Sequence, residues 1–115
     1  MFEWPDQLKL AKELVERDDE VAHRTVIYLA YYAVYNRVVE HLLQHGAAVE
    51  KTNHRATWDL LKGGRGSKPN FVRRGHYLRE LRNRASYDLD FPAGTDLKTQ
   101  AQKAIKDAEE MLADL

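Results

Sequence analysis

The fold is decided by residues 26–43, which read VIYLAYYAVYNRVVEHLL. Apolar residues recur along this stretch every three or four positions, which is the spacing of one face of an α-helix. Asp18 and Asp19 stand before it as alternative N-caps, and Gly46 follows it as a helix stop. Because such a helix extends for about 40 Å, we expect it to be the central helix of a bundle.

The rest of the chain predicts four further helices and no strand. Residues that initiate or cap helices mark their starts: Pro5, Thr52 or Asn53, Asn70 and Thr95. Short connections between such helices favour antiparallel packing. We therefore expect a single all-α domain over residues 1–115, with an up-and-down bundle of four core helices plus one short helix.

Composition agrees with a folded domain. The chain has 115 residues, of which 43% are hydrophobic and 31% are charged, and its formal net charge is zero. It contains no cysteine, which excludes disulfides, thiolate metal sites and cysteine nucleophiles. The amino terminus lacks the features of a signal peptide, and no apolar stretch is long enough to cross a bilayer. We expect a cytoplasmic protein with no membrane partner.

The zero net charge conceals an uneven distribution. Residues 51–84 hold ten basic and two acidic side chains, and the flanking segments carry the compensating negative charge. Such a basic segment is typical of a surface that binds phosphate, a nucleotide or an acidic protein. The alternative is a solvated helix face that pairs with the acidic flanks of the same molecule.

Two further patterns lie within the central helix. His41 and His45 are four residues apart, as a metal-binding pair would be, but no third ligand stands at a recognisable spacing. We therefore predict no metal and no other cofactor. Tyrosines at positions 28, 31, 32 and 35 follow one helix face. They suit either the stacking of bases or, as we expect, core packing and a dimer interface.

The most specific pattern is residues 78–89, LRELRNRASYDL. Together with YYAVY at 31–35 and HRATW at 54–58, this segment resembles the HEPN superfamily over nearly the whole chain. Members are small all-α bundles, and many are metal-independent RNases of toxin–antitoxin, CRISPR and phage-defence systems. The resemblance implies an HEPN-like bundle and a homodimer whose two motifs face each other.

The RNase motif of that family is an arginine and a histidine separated by four to six residues, often with a polar residue directly after the arginine. Arg82 and Asn83 match its first half, whereas Tyr87 stands in the histidine position. Histidine titrates near neutrality, but tyrosine, with a pKa of roughly 10, is a poor base at pH 7. The resemblance implies that Arg82 binds the scissile phosphate, Asn83 positions it and Tyr87 fills the acid/base position.

Three functions remain open at this point. The first is an RNA-cleaving or RNA-binding toxin or defence protein, in which four arginines follow the RNA backbone: Arg73, Arg74, Arg79 and Arg84. The second is a catalytically degenerate module that binds a nucleotide or a partner protein, such as a nucleotidyltransferase antitoxin or another defence-system subunit, with Tyr87 as a target of modification. The third is a helical assembly subunit whose tyrosine stripe is simply an interface. For Arg82, Asn83 and Tyr87 themselves, the structural alternative is a polar cluster that ties the fourth helix to the bundle.

Overall fold

The computed structural model describes residues 1–62, 68–91 and 96–115. These residues form an all-α bundle, as predicted, and none of them lies in a strand. The helices are α1 (Gln7–Leu14), α2 (Glu20–Gln44), α3 (His54–Asp59), α4 (Pro69–Tyr87) and α5 (Leu97–Asp114), with a 3₁₀ turn at Trp4–Asp6. Within these ranges, no helix combines the length and the apolar character that a membrane span needs.

The long helix α2 lies at the centre of the bundle, where it packs against α1, α4 and α5. Of the two alternative caps, Asp19 is used, and its carboxylate accepts a hydrogen bond from the Ala22 amide at 2.6 Å. Gly46 has a positive φ of 83°, a conformation that glycine adopts without steric cost. Both signals at the ends of residues 26–43 were therefore interpreted correctly.

The starts of two other helices differ from the prediction. Pro5 lies in the 3₁₀ turn, and α1 begins two residues later at Gln7. The N-cap of α5 is Asp96, whose carboxylate accepts from the Lys98 amide at 3.0 Å, and not Thr95, which is outside the described residues. An aspartate at this position satisfies a free amide of the first turn, as a threonine hydroxyl would.

Trp58 joins α3 to α4. Its side chain is fully buried, and its ring centroid lies 6.1 Å from that of Phe71. The indole also packs directly on the backbone of α4 at Gly75, where an added Cβ would lie 2.4–2.6 Å from three ring atoms. Only glycine at position 75 therefore allows this close approach.

Substitution of Gly75 by alanine tests that contact. In an ordinary helix interior the change stabilises by about 1 kcal/mol, but here the clash with Trp58 should lower the free energy of unfolding by about 1–3 kcal/mol. Urea denaturation followed by circular dichroism measures the difference. Ser86→Ala, at an exposed position of α4, is the control and should change stability by less than about 0.5 kcal/mol. A Gly75→Ala protein as stable as the parent contradicts the packing.

Candidate functional site

Arg82 lies on the side of α4 that faces α2. Its guanidinium donates hydrogen bonds to the Asn83 side-chain oxygen at 2.5 Å and to the hydroxyl oxygen of Tyr32. The guanidinium carbon is 5.0 Å from the centroid of the Tyr32 ring and 5.9 Å from that of Tyr31. Aromatic faces attract cations at such distances, so the rings of α2 hold the partly buried guanidinium in place.

The charge of Arg82 has no carboxylate partner in the described part of the chain, and neither has that of Arg79. In addition, Nε of Arg82 is buried and makes no hydrogen bond to the described residues. Arginine binds oxygen anions through paired N–H donors. A partly buried arginine that no carboxylate neutralises keeps this capacity for an external anion.

His54, the first residue of α3, contacts the same two tyrosines. Trp58 donates its indole N–H to the Tyr31 oxygen at 3.1 Å, and that oxygen lies 2.7 Å from Nδ1 of His54. Because the indole can only donate, the hydroxyl hydrogen of Tyr31 is left for Nδ1, which assigns the proton of a neutral His54 to Nε2. The imidazole also stacks on Tyr35, with centroids 4.1 Å apart and planes within 5°.

The surroundings shift the protonation of these groups. Burial raises the pKa of the Tyr31 and Tyr35 hydroxyls, which therefore remain protonated donors at neutral pH. Burial, followed by the positive charges of Arg79 and Arg82, lowers the pKa of His54. The imidazole is accordingly neutral at pH 7 in the free protein.

We call this group of side chains the Arg82 site; its members are Tyr32, His54, Arg79, Arg82 and Asn83. The sequence predicted Arg79, Arg82 and Asn83 as site residues and placed Tyr32 in the tyrosine stripe, but it assigned no catalytic or binding role to His54. No local pattern could have identified His54, since it approaches the tyrosines that contact Arg82 only through the packing of α3 and α4 against α2.

Tyr87 lies at the rim of this arrangement. Its side chain is 77% exposed, and the centroid of its ring is 6.0 Å from the guanidinium carbon of Arg82. The three predicted site residues Arg82, Asn83 and Tyr87 therefore do lie together at the end of α4. The Arg82–Tyr32 hydrogen bond also ties α4 to α2, so the structural role that the sequence left open is present as well.

The other arginines of the basic segment do not share one face. Arg73 and Arg84 lie about 180° and about 200° around α4 from Arg82, and Arg84 lies over the Phe91 ring at 4.8 Å. Arg74 forms ion pairs with two acidic residues of α5, Asp107 at 3.0 Å and Glu110 at 2.8 Å. Of the four predicted RNA-binding arginines, only Arg79 is on the same side of α4 as Arg82.

The tyrosine stripe and the histidine pair of α2 have structural roles in part. Tyr31 and Tyr35 are buried in the core, which confirms core packing for half of the tyrosine stripe, whereas Tyr28 is 46% exposed. His45 donates from Nδ1 to the carbonyl oxygen of His41 at 2.8 Å. Among the residues that the structure describes, no three or more histidines and carboxylates are placed to hold a metal ion.

Arg24 of α2 fixes the end of α4. Its guanidinium donates to four backbone carbonyls at the end of this helix and just beyond it: Ala85 at 2.9 Å, Asp88 at 2.8 Å, Leu89 at 3.2 Å and Phe91 at 2.6 Å. Helix ends leave carbonyl groups without intrahelical partners, and one planar guanidinium satisfies several of them here. The backbone on both sides of Tyr87 is therefore held in place.

Chemically, the Arg82 site presents two guanidinium groups and an imidazole N–H, all of which donate hydrogen bonds to oxygen anions. Aromatic rings lie beside these donors. Comparison with protein-family models, curated proteins and solved structures gives no significant match. The resemblance to the HEPN superfamily therefore stays a prediction, and the functional conclusion depends on the chemistry of this site.

Replacement of Arg24 by lysine tests the role of its four hydrogen bonds. A single ammonium group cannot reach all of these carbonyls, so the free energy of unfolding should fall by about 1–3 kcal/mol, measured by thermal unfolding. Arg17→Lys is the matched control, because Arg17 forms only an exposed ion pair with Asp19, and it should change stability by less than about 0.5 kcal/mol. Equal stability of the two variants contradicts the role of Arg24.

Proposed function

We propose that this chain is an HEPN-like protein that binds RNA at the Arg82 site and cleaves it without a metal ion. The observation that carries this proposal is the Arg82 guanidinium, which is partly buried, held by the Tyr31 and Tyr32 rings, and free of any carboxylate among the described residues. A guanidinium of this kind binds a phosphodiester through two parallel hydrogen bonds. Exposed aromatic rings beside it suit the stacking of bases.

In the proposed reaction the 2′-oxygen of RNA attacks the adjacent phosphorus and the P–O5′ bond breaks. The 2′-hydroxyl proton leaves to water, and the 5′-oxygen takes a proton from the neutral Tyr87 phenol, which water then reprotonates. Arg82 binds the phosphate oxygens, and Asn83 orients the guanidinium through its side-chain oxygen. The products are a 2′,3′-cyclic phosphate and a 5′-hydroxyl. Without a histidine in the motif, the rate lacks a factor of about 10²–10⁴.

A homodimer is part of this proposal, because the family resemblance implies two facing motifs. The face beside the Arg82 site supports it. Tyr28 and Val21 of α2 are exposed there, and the Tyr28 ring is 4.7 Å from that of Tyr32. Pairing of two chains on this face would cover apolar surface and bring two Arg82 sites into one basic cleft. A role as a toxin or defence protein follows from the same resemblance.

Arginine variants on the two sides of α4 test RNA binding and cleavage. Arg82→Gln removes charge-assisted hydrogen bonds and should weaken the binding of a labelled single-stranded RNA by about 10–100-fold, with loss of cleavage at low salt. Arg79→Gln should weaken binding in the same direction. Fluorescence anisotropy measures the affinity, and gel electrophoresis of tRNA and mRNA measures cleavage.

Arg73→Gln is the matched control, since it removes an equal charge from the far side of α4. It should leave affinity within about threefold of the parent. Intact RNA with the parent protein contradicts the proposed cleavage, and equal losses from Arg73→Gln and Arg82→Gln contradict the assignment of the site. Light scattering on the same samples gives the oligomeric state, and a monomer that cleaves RNA contradicts the dimer.

The exposure of Tyr87 favours a second candidate function. With 77% of its surface accessible, its hydroxyl is open to a modifying enzyme. In this alternative the chain is a catalytically degenerate HEPN module that binds a nucleotide or a partner protein, such as a nucleotidyltransferase antitoxin that modifies Tyr87. Loss of the motif histidine agrees with such a role.

Two substitutions at position 87 distinguish these functions. If Tyr87 occupies the proton-transfer position, Tyr87→His should raise the rate of RNA cleavage by about 10²–10⁴-fold; an unchanged rate contradicts that role. For the alternative, mass spectrometry of protein co-expressed with the adjacent reading frame should find an added group on Tyr87 and none on the Tyr87→Phe protein. An unmodified Tyr87 contradicts the alternative.

A further inference from the structure

A histidine outside the predicted motif belongs to the Arg82 site. We propose that His54 contacts the bound phosphodiester through Nε2 and takes up one proton from solvent when the phosphate binds. This inference rests on the proposed function, because it adds a phosphate-binding residue to the same site. It makes the binding of RNA dependent on pH.

The orientation of His54 leaves only one ring nitrogen for a ligand. Nδ1 is 2.7 Å from the Tyr31 hydroxyl, and the ring face is stacked on Tyr35. The ring of Tyr32 approaches edge-on, with centroids 5.9 Å apart and an interplanar angle of 85°. Because Nδ1 is occupied and the side chain is only partly buried, Nε2 is the nitrogen that an external group can reach.

His54 and Arg82 contact the same two rings. The imidazole centroid is 5.7 Å from that of Tyr31 and 5.9 Å from that of Tyr32, and the guanidinium carbon of Arg82 is 5.9 Å and 5.0 Å from the same centroids. The two donors therefore contact the same pair of tyrosines. In the proposed complex, one phosphodiester is bound both by the Arg82 guanidinium and by Nε2 of His54.

The charges around His54 explain the uptake of a proton. Tyr31, Tyr32 and Tyr35 face it from α2, and the positive charges of Arg79 and Arg82 act on it from α4. The carboxylate nearest to His54 in the sequence is that of Glu50. It is exposed and accepts a hydrogen bond from the Thr52 hydroxyl at 2.7 Å. Without a ligand, the two arginines therefore disfavour an imidazolium.

An incoming phosphate reverses this balance. The negative charge of the phosphate offsets the positive charges of Arg79 and Arg82 and favours the protonated form of His54. Nε2–H then donates a charge-assisted hydrogen bond to a phosphate oxygen, and Nδ1–H donates to the Tyr31 oxygen, which also accepts from Trp58. The proton gained by His54 comes from solvent, so binding and protonation are linked.

Nuclear magnetic resonance of the intact protein tests this linkage. The pKa of His54 is measured in the free protein and with a short 2′-O-methyl oligoribonucleotide, which cannot be cleaved because its 2′-oxygen is blocked. Inorganic phosphate serves as a second probe. His54→Gln assigns the signal, and His45, at the end of α2, is the internal reference. We expect the pKa of His54 to rise by about one unit on binding, whereas the ring signals of His45 should not respond to the oligonucleotide.

A rise of one unit predicts that affinity falls by up to about tenfold as the pH increases from the free-state pKa through the bound-state pKa. His54→Gln should abolish this pH dependence, and Arg82→Gln should abolish the shift of the His54 pKa. A bound oligonucleotide that leaves the His54 pKa unchanged overturns the inference, as does a His54→Gln protein with the pH dependence of the parent.

The outcomes also separate this inference from the proposed function. If RNA stays intact but the His54 pKa rises with the oligonucleotide, cleavage is excluded and the role of His54 in phosphate binding stands. If RNA is cleaved and His54 does not respond, the function stands and the inference fails. An oligonucleotide and inorganic phosphate that both fail to bind overturn the two together.

Discussion

The hydrogen bonds that run from Trp58 through Tyr31 to His54 are the constraint on which the remaining structure depends. A buried indole N–H and a buried phenol each require a partner, and these two satisfy one another across the junction of α2 and α3. The same indole reaches the backbone of α4 at Gly75. One set of contacts therefore fixes three helices relative to each other, and it sets the direction of the His54 ring at the surface.

Local features of the sequence were sufficient to predict the main elements. The central helix is periodic over 18 residues and is bounded by Asp19 and Gly46, so its fold and limits could be inferred without tertiary information. Arg82 and Asn83 are adjacent in the chain, and their association follows directly. The place of His54 beside Arg82 could not be predicted, because it results from contacts between residues far apart in sequence. The ion pairs of Arg74 with α5 could not be predicted for the same reason.

The number of basic residues in a segment is a poor guide to its binding surface. Ten basic side chains lie between residues 51 and 84, yet Lys62 and Arg74 pair with carboxylates of the chain itself. Arg79 and Arg82 have no such partner in the described part of the molecule. What distinguishes them is their position beside the aromatic face of α2, where no carboxylate of the described residues forms an ion pair with them.

Arg24 makes the backbone at the rim of the Arg82 site rigid. Its guanidinium donates hydrogen bonds to the carbonyls of Ala85, Asp88, Leu89 and Phe91. These bonds hold the main chain on both sides of Tyr87, the most exposed tyrosine. The entropy needed to order this backbone is thus lost during folding and not during association. A macromolecule that engages Tyr87 meets a rigid presentation of the phenol, so complementarity of shape, more than adaptation of the loop, decides which partner fits.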